Sequence, residues 1–319
     1  MISRFSRHRA EPFGPHPLLP GGHLQTVYSA LLRRVGPVQW QRERLELDDG
    51  DFVDLDHVGT GPFRVLVIHG LGGSSEAPYV RGMALALSSR GFAVTALNMR
   101  GASGPNRLPR TYHAGDTQDL AMVARHLASR SDRLGAVGFS LGGNALVKLM
   151  GEQRAQAPFM AAASVCAPLR LDLTARRLHT GLSRAYEVYL LTALKRSLWR
   201  KRHLLEGRID LGRVMSASSF EQWDGWVTAP LNGFGSAQDY WDRSSARGFV
   251  ASIGQPTLIL HALDDPFMPR DVLPDPASVP ACVRVEASHW GGHVGFTTVS
   301  GDNYAEQRVV DFMARNLCR

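Results

Sequence analysis

Short, continuously apolar runs alternate with segments of helical periodicity along most of this chain. Residues 64–69 read RVLVIH, and further apolar runs follow at 92–97 and 134–139, with a helix-period segment between each pair. Runs of this length indicate strands that are buried on both faces, as in parallel sheets covered by helices. The alternation therefore predicts an α/β fold with a mostly parallel, doubly wound sheet.

The strand signal disappears between residues 171 and 239, where a helical pattern with a basic side takes its place. We interpret this segment as a helical cap inserted over the carboxyl edge of the sheet. The predicted strands are 64–69, 92–97, 134–139, 160–166, 257–261 and 282–286, and the predicted helices are 26–34, 79–89, 112–129, 141–153 and 303–317. The predicted domains are an N-terminal extension at 1–40 that packs on the core, a core at 41–170 and 240–319, and a cap at 171–239.

The positive charge of the chain is concentrated in one segment. The formal net charge is +7, and residues 176–208 hold nine Lys or Arg against two Glu, which accounts for all of it. A nucleic-acid-binding protein typically spreads its basic residues over a whole face, so we predict no nucleic-acid partner. Two interpretations of the segment stay open, a contact with anionic membrane and a solvated face of the cap.

Apolar runs, cysteines and candidate metal ligands predict the cellular compartment and the metal content of the protein. The first residues contain arginines but no apolar stretch follows them, and no run reaches the ~18 apolar residues of a spanning helix. Three scattered cysteines, at 166, 282 and 318, suit a reducing cytoplasm better than a disulfide framework. We therefore expect a cytoplasmic protein, with peripheral contact to the inner membrane face as an option. His113, Asp116 and Asp119 could suggest a metal site, but acidic residues at a helix start typically complement the helix dipole, so we predict no metal or cofactor.

A serine between glycines stands at a predicted strand-to-helix junction. The stretch is Gly138-Phe-Ser140-Leu-Gly142, which matches G-x-S-x-G. At such a junction the motif forms a sharp turn that lifts the serine hydroxyl above the sheet, and the glycines leave room for that turn. The alternative is a glycine-rich turn whose serine only caps the helix. Its position favours Ser140 as a nucleophile.

A serine nucleophile needs a histidine base and a carboxylate that orients it, in the chain order Ser, acid, His for this kind of fold. Asp264 and Asp265 follow the predicted strand at 257–261, and His289 and His293 follow the strand at 282–286. We favour His293, because small residues around it allow its ring to approach the serine. The residues alone leave both aspartates open as the acid.

Two backbone N–H groups are expected to bind the negative oxygen that develops during acyl transfer. One belongs to the residue after the nucleophile, Leu141, and the other comes from the glycine-rich loop after the first predicted strand, where Leu71 is the candidate. The same loop could in principle bind phosphate. It lacks the Gly-Lys-Ser/Thr ending of a P-loop and the G-x-G-x-x-G spacing, which argues against nucleotide binding.

Several long motifs resemble the YheT-like branch of the α/β-hydrolase superfamily. They are HLQT, HGLGGSSEAPY, NMRGASGPNRLPRTYHAGDTQDL, GFSLGGN, PTLILHALDDPFMP and GGHVGF. The resemblance implies an α/β-hydrolase fold and esterase or lipase activity without a cofactor. Carried over by motif, it implies a triad of Ser140, Asp265 and His293, with Asp265 chosen because the acid of the superfamily commonly precedes a proline. No physical role follows from the sequence for HLQT or for RLPR at 107–110.

The predicted function is hydrolysis of carboxylic esters, either short-chain esters or acylglycerol- and phospholipid-like lipids, through an acyl-enzyme on Ser140. Two alternatives stay open. An alcohol could replace water as the acceptor, which would make the protein an acyltransferase. The same scaffold could also be a non-catalytic protein that binds lipid or membrane, because a fold does not guarantee a function.

Overall fold

A computed structural model describes residues 13–318, so the first twelve residues of the predicted N-terminal extension and Arg319 lie outside it. One eight-stranded sheet forms the centre of this part of the chain, with the strand order β1-β2-β4-β3-β5-β6-β7-β8. The strands are β1 Gln41–Glu46, β2 Phe52–Val58, β3 Phe63–Ile68, β4 Ala93–Asn98, β5 Arg133–Phe139, β6 Ala161–Val165, β7 Thr257–Ala262 and β8 Val283–Ser288.

The strands β3 to β8 are parallel and correspond to the six predicted strands, so the doubly wound α/β fold is confirmed. Two strands were not predicted. β1 pairs antiparallel with β2, and β2 pairs antiparallel with β4. Their sequences, QRERLE and FVDLDHV, are rich in charged residues, and the buried Asp54 and Asp56 are compensated by Arg44 and Arg42 of the neighbouring strand.

Eleven α-helices occur in the described residues. They are α1 Gly22–Val27, α2 Pro78–Ser88, α3 Thr117–Ala128, α4 Leu141–Gln153, α5 Leu171–Leu178, α6 Ser183–Arg200, α7 Leu211–Ser216, α8 Phe220–Trp223, α9 Ala229–Asn232, α10 Ala237–Ser244 and α11 Tyr304–Leu317. Two π-helical segments are present, Tyr28–Leu32 and Asp224–Thr228, with short 3₁₀ turns at Arg154–Gln156, Arg202–Leu204, Ala246–Ser252, Arg270–Val272 and Pro276–Ser278.

Two predicted helices differ from the structure. The helix expected at 112–129 begins at Thr117, because residues 112–116 form a loop beside the site described below. The helix expected at 26–34 begins earlier, at Gly22, and passes into the π-helical segment that ends at Leu32. Both errors place the start of a helix wrongly, because apolar spacing alone does not mark where a helix begins.

The helices cover both faces of the sheet and form two apolar cores. Side chains of α3 and α4 pack on one face, where Leu120, Leu127 and Leu146 are buried. Side chains of α2 and α11 pack on the other face, where Met83 and Met313 are buried. This two-sided burial explains why the parallel strands are continuously apolar.

Between β6 and β7 the described chain is helical, from α5 to the end of α10 at Ser244. Leu191 and Leu198 of α6 and Trp223 of α8 are buried in the same apolar cluster as α3 and α4. The division of the chain into extension, core and cap stays a prediction. No helix in residues 13–318 has both the length and the apolar composition that crossing a bilayer requires.

Candidate active site

Ser140 lies on a sharp turn between β5 and α4. Its backbone angles, φ 50° and ψ −121°, are rare for a residue with a side chain, and such strain costs about 1–3 kcal/mol. The N–H of Ser140 donates to the carbonyl of Val165 at 2.9 Å. A Cβ at Gly138 would lie 2.5 Å from the carbonyl oxygen of Gly142, and one at Gly142 would lie 2.4 Å from that of His69. Only glycine therefore fits at both flanks of the turn.

The imidazole of His293 joins the serine to a carboxylate. Its Nε2 lies 3.0 Å from Oγ of Ser140, and its Nδ1 lies 2.8 Å from Oδ2 of Asp265. The other oxygen of Asp265 accepts the N–H of Phe267 at 2.8 Å, and the Phe267 ring stacks on the imidazole with centroids 3.9 Å apart. His289, the alternative base, is exposed on the surface. The geometry thus brings together three residues that were predicted from the sequence.

The two neighbouring aspartates have different partners. Asp265 is buried and faces His293, whereas Oδ1 of Asp264 accepts the N–H of Gly292 at 2.8 Å. Burial raises the pKa of Asp264 above its usual range, because its charged form is partly removed from water. Asp264 therefore supports the backbone of the loop that carries His293. The imidazole is bonded to Asp265 and not to Asp264.

The glycine-rich loop after β3 is held by two phenol oxygens. Gly70 N–H donates to Tyr79 Oη at 2.9 Å, and Gly72 N–H donates to Tyr112 Oη at 2.7 Å. Leu71 lies between these two anchors, and its N–H makes no hydrogen bond within residues 13–318. Burial raises the pKa of Tyr79 to about 12, so its phenol stays protonated near neutral pH.

His69 also supports this loop. Its Nδ1–H donates to the carbonyl of Gly70 at 2.6 Å, and its Nε2 accepts the N–H of Met99 at 3.2 Å. Burial lowers the pKa of His69 to about 4, so the ring is neutral and one nitrogen can donate while the other accepts. The second predicted N–H belongs to Leu141, the first residue of α4, where a helix leaves its amide groups unpaired.

A cavity of about 540 Å³ opens above Ser140 and His293. Leu71 and Leu141 line the same cavity, so both predicted oxyanion donors belong to residues at this site. Most of the wall is apolar, and its largest single part comes from the helical segment after β6. The residues on that side include Leu171, Leu178, Leu190, Leu194, Phe220 and Trp223. A water-poor pocket of this size accommodates an extended apolar chain.

The basic segment at 176–208 is only partly a surface feature. Lys201 is buried, and its Nζ donates to Oδ1 of Asn106 at 2.8 Å and to the carbonyl of Arg110 at 2.8 Å. Lys195 donates to the carbonyl of Ala217 at 2.6 Å. Burial lowers the pKa of Lys201 to about 8. The expectation that the whole segment is either solvated or lipid-facing is therefore wrong for Lys201, which ties α6 to the loop after β4.

The two aspartates considered for a metal are used in ion pairs, whereas His113 accepts the N–H of Gly115 at 3.1 Å. Asp116 pairs with Arg110 at 2.8 Å, and Asp119 pairs with Arg100 at 2.5 Å. One other group of possible ligands occurs in the described residues, Cys166, His261 and Asp265, whose ligand atoms lie within 4.8 Å of one another. A metal there would compete with His293 for the Asp265 carboxylate, so we assign these side chains to the packing behind the site.

Comparison with known proteins shows to which family this architecture belongs. A family model described as the alpha/beta hydrolase fold matches residues 64–298. This chain belongs to the α/β-hydrolase family. It is 38% identical to YheT of Escherichia coli (strain K12), a candidate esterase by its name, over 92% of this chain and 91% of that protein. The resemblance inferred from the motifs is confirmed at this level.

Two further similarities agree with the family. The chain is 30% identical to the human (Homo sapiens) protein named phospholipase ABHD3, over 86% of this chain and 71% of that protein. The crystal structure of the Pyrococcus furiosus esterase Pf2001 superposes with a TM-score of 0.60 at 17% identity, covering 89% of this chain and 98% of that one. At that identity the structural likeness supports the fold alone.

Proposed function

We propose that this ester hydrolase works through Ser140, His293 and Asp265. His293 takes the proton of Ser140 as its oxygen attacks the ester carbonyl, and Asp265 orients the imidazole and stabilises its charged form. The N–H groups of Leu71 and Leu141 bind the oxyanion, and water then releases the acyl group from Ser140. The observation that carries this proposal is the continuous pair of bonds from Ser140 through His293 to Asp265, at 3.0 and 2.8 Å.

The proposed substrates are carboxylic esters, either short-chain esters or lipids that resemble acylglycerols and phospholipids. The apolar cavity wall supports this class, because an acyl chain can leave water there without leaving polar groups unpaired. The names of the relatives, an esterase and phospholipases, point in the same direction. Three free cysteines without a disulfide support a reducing, cytoplasmic location.

The test is turnover of esters of graded acyl length by the wild-type protein and by Ser140→Ala, combined with labelling by a fluorophosphonate. We expect labelling of Ser140 and a loss of turnover on the order of 10⁴ to 10⁶ in Ser140→Ala, with an unchanged circular dichroism spectrum. Activity of Ser140→Ala within a few-fold of wild type would rule out the mechanism. Labelling without hydrolysis would instead favour acyl transfer or a binding role.

We further propose that the mouth of the cavity contacts an anionic lipid surface through the exposed face of α6. Val188, Tyr189 and Trp199 are exposed there, together with Arg196 and Arg200. The only acidic residue of α6, Glu187, is fully buried. A face that combines exposed aromatic and apolar side chains with arginine is typical of helices that lie at a membrane surface.

Vesicle binding tests this contact. We expect the wild-type protein to sediment with phosphatidylglycerol vesicles, less so as salt rises through the physiological range, and weakly with phosphatidylcholine. Arg196→Glu combined with Arg200→Glu should abolish sedimentation. The matched control makes the same charge change at Arg90 and Arg315, which are exposed beside α2 and in α11. Equal binding to both kinds of vesicle, or equal loss in the control, would favour a solvated cap face.

A further inference from the structure

The loop that carries His293 has an unusual backbone. Val294 and Phe296 have φ values of 59° and 50°, in the left-handed region that residues other than glycine rarely occupy. Gly291 and Gly292 also have positive φ. A loop with this conformation persists only where its surroundings determine it. Its polar backbone groups are bonded to side chains from two directions, the sheet and the N-terminal segment.

Two side chains hold the loop from the sheet side. Oδ1 of Asp264 accepts the N–H of Gly292 at 2.8 Å. The thiol of Cys166, at the end of β6, donates to the carbonyl of Gly292 at 3.6 Å and accepts the N–H of Val294 at 3.5 Å. The residues on both sides of His293 are therefore fixed to the carboxyl edge of the sheet.

Three side chains hold the loop from the N-terminal side, although they precede it by about 270 positions. Oγ1 of Thr26 accepts the backbone N–H of His293 at 2.8 Å, and Oγ of Ser29 donates to the carbonyl of Val294 at 3.0 Å. The amide of Gln25 bonds to both the N–H and the carbonyl of Thr297, at 2.8 and 3.2 Å. All three side chains belong to buried residues.

Glycines allow this segment to approach closely. A Cβ at Gly292 would lie 2.2 Å from the carbonyl oxygen of Gly22, and a Cβ at Gly22 would lie 1.8 Å from that of Asp264. The start of α1 therefore packs backbone to backbone against both loops that supply the acid and the base. Thr26 completes the arrangement by donating its hydroxyl to the carbonyl of Gly22 at 2.6 Å.

We propose that Thr26 is a positioning residue for His293, and that the segment 22–29 supports the active site by holding the loop that carries His293. The hydroxyl of Thr26 fixes the main chain of His293 so that the imidazole meets Ser140 and Asp265 at once. The inference rests on the proposed triad. It gives a physical role to the HLQT motif, residues 23–26, whose threonine and glutamine bond to the His293 loop.

The test compares Thr26→Val, which keeps the shape of the side chain but loses the hydroxyl, with Thr26→Ser, which keeps the hydroxyl. Thr257→Val is the matched control, because the hydroxyl of the buried Thr257 also donates to a backbone carbonyl, that of Gln255, but at the start of β7 and outside the cavity lining. We expect Thr26→Val to lower kcat on a short-chain ester by about 10- to 100-fold with KM within about twofold, since small displacements of a catalytic group cost rate more than binding. Thr26→Ser should stay within about threefold of wild type, and Thr257→Val should match it.

Fluorophosphonate labelling should slow in parallel with kcat in Thr26→Val, at unchanged Tm. Wild-type kcat in Thr26→Val, or an equal loss in Thr26→Ser, would overturn the proposal. Should Thr26→Val fail to fold, Ser29→Ala releases the carbonyl of Val294 instead and should lower kcat several-fold at constant KM, and wild-type kcat there would also overturn it. Loss of turnover in Ser140→Ala tests the triad separately, so the two failures are distinguishable.

Discussion

At the scale of single residues, strained backbone occurs at the proposed nucleophile and in the loop that carries the proposed base. Ser140 has a φ of 50°, and Val294, the residue after His293, has a φ of 59°. The N–H of each strained residue is bonded: that of Ser140 donates to the carbonyl of Val165, and that of Val294 donates to Sγ of Cys166. The positions of the reacting atoms are therefore set before substrate arrives, which lowers the reorganisation needed in the transition state.

A pair of substitutions separates the roles of the two neighbouring aspartates. Asp265→Asn should keep the fold but cost on the order of 10⁴ in turnover, because the amide can hold His293 in the wrong tautomer. Asp264→Asn should cost at most about tenfold, since its side-chain oxygen can still accept the N–H of Gly292. Both variants are assayed on one short-chain ester, with circular dichroism to confirm folding. If Asp264→Asn is the inactive variant, the acid has been assigned to the wrong residue.

At the scale of elements, sequence patterns predicted what is local and missed what is tertiary. The parallel strands and α4 were predicted because burial on both faces and helical periodicity are visible in short windows. β1 and β2 were missed, because they are rich in charged residues whose partners lie on other strands and loops, such as Arg42 with Asp56 and Arg44 with Asp54. The order of Ser140, the aspartates and His293 was readable. The bonds from Thr26 to the His293 loop were not, because no local pattern encodes a contact across 267 positions.

The two tyrosines that anchor the glycine-rich loop should differ in importance. Gly70 is buried, so Tyr79→Phe leaves its N–H unsatisfied, which should cost about 1–3 kcal/mol of stability. The same change should lower kcat by about tenfold or more, because the N–H of Leu71 is displaced from the oxyanion. Gly72 is exposed, so water can replace the phenol in Tyr112→Phe, and that variant should stay within about threefold of wild type. Urea unfolding and kcat measure both effects, and equal losses in the two variants would contradict this account.

At the scale of the whole molecule, three distant parts of the chain meet at the proposed active site. The N-terminal segment and α6 are joined by the bond between His23 Nδ1 and Tyr186 Oη at 3.0 Å. The Tyr186 ring contacts Phe267, which stacks on His293, so α6 reaches the base through an aromatic contact. At its far end α6 is tied to the loop after β4 by Lys201. The helix α6, which lines the cavity above Ser140, is therefore anchored at both of its ends.

The burial of Lys201 at the end of α6 makes the stability of the protein depend on pH. The sign of this dependence follows from the linkage between protonation and folding. The pKa of Lys201 is lowered by burial to about 8 in the folded protein, against about 10.4 in an unfolded chain. Between these values the unfolded state binds more protons, so Lys201 adds stability as pH rises from about 8 to 10. The neutral amine can still donate to Asn106 or Arg110. Lys201→Met lacks this titration.

The free energy of unfolding of the wild type minus that of Lys201→Met should therefore increase between pH 7.5 and 9.5. The limiting slope is about 1.4 kcal/mol per pH unit, so an increase on the order of 1–2 kcal/mol is expected. Urea unfolding of both proteins at three pH values measures it, and taking the difference removes the titration of all other groups that the two proteins share. A difference that stays constant or falls with pH would mean that the ammonium of Lys201 is not desolvated at this junction.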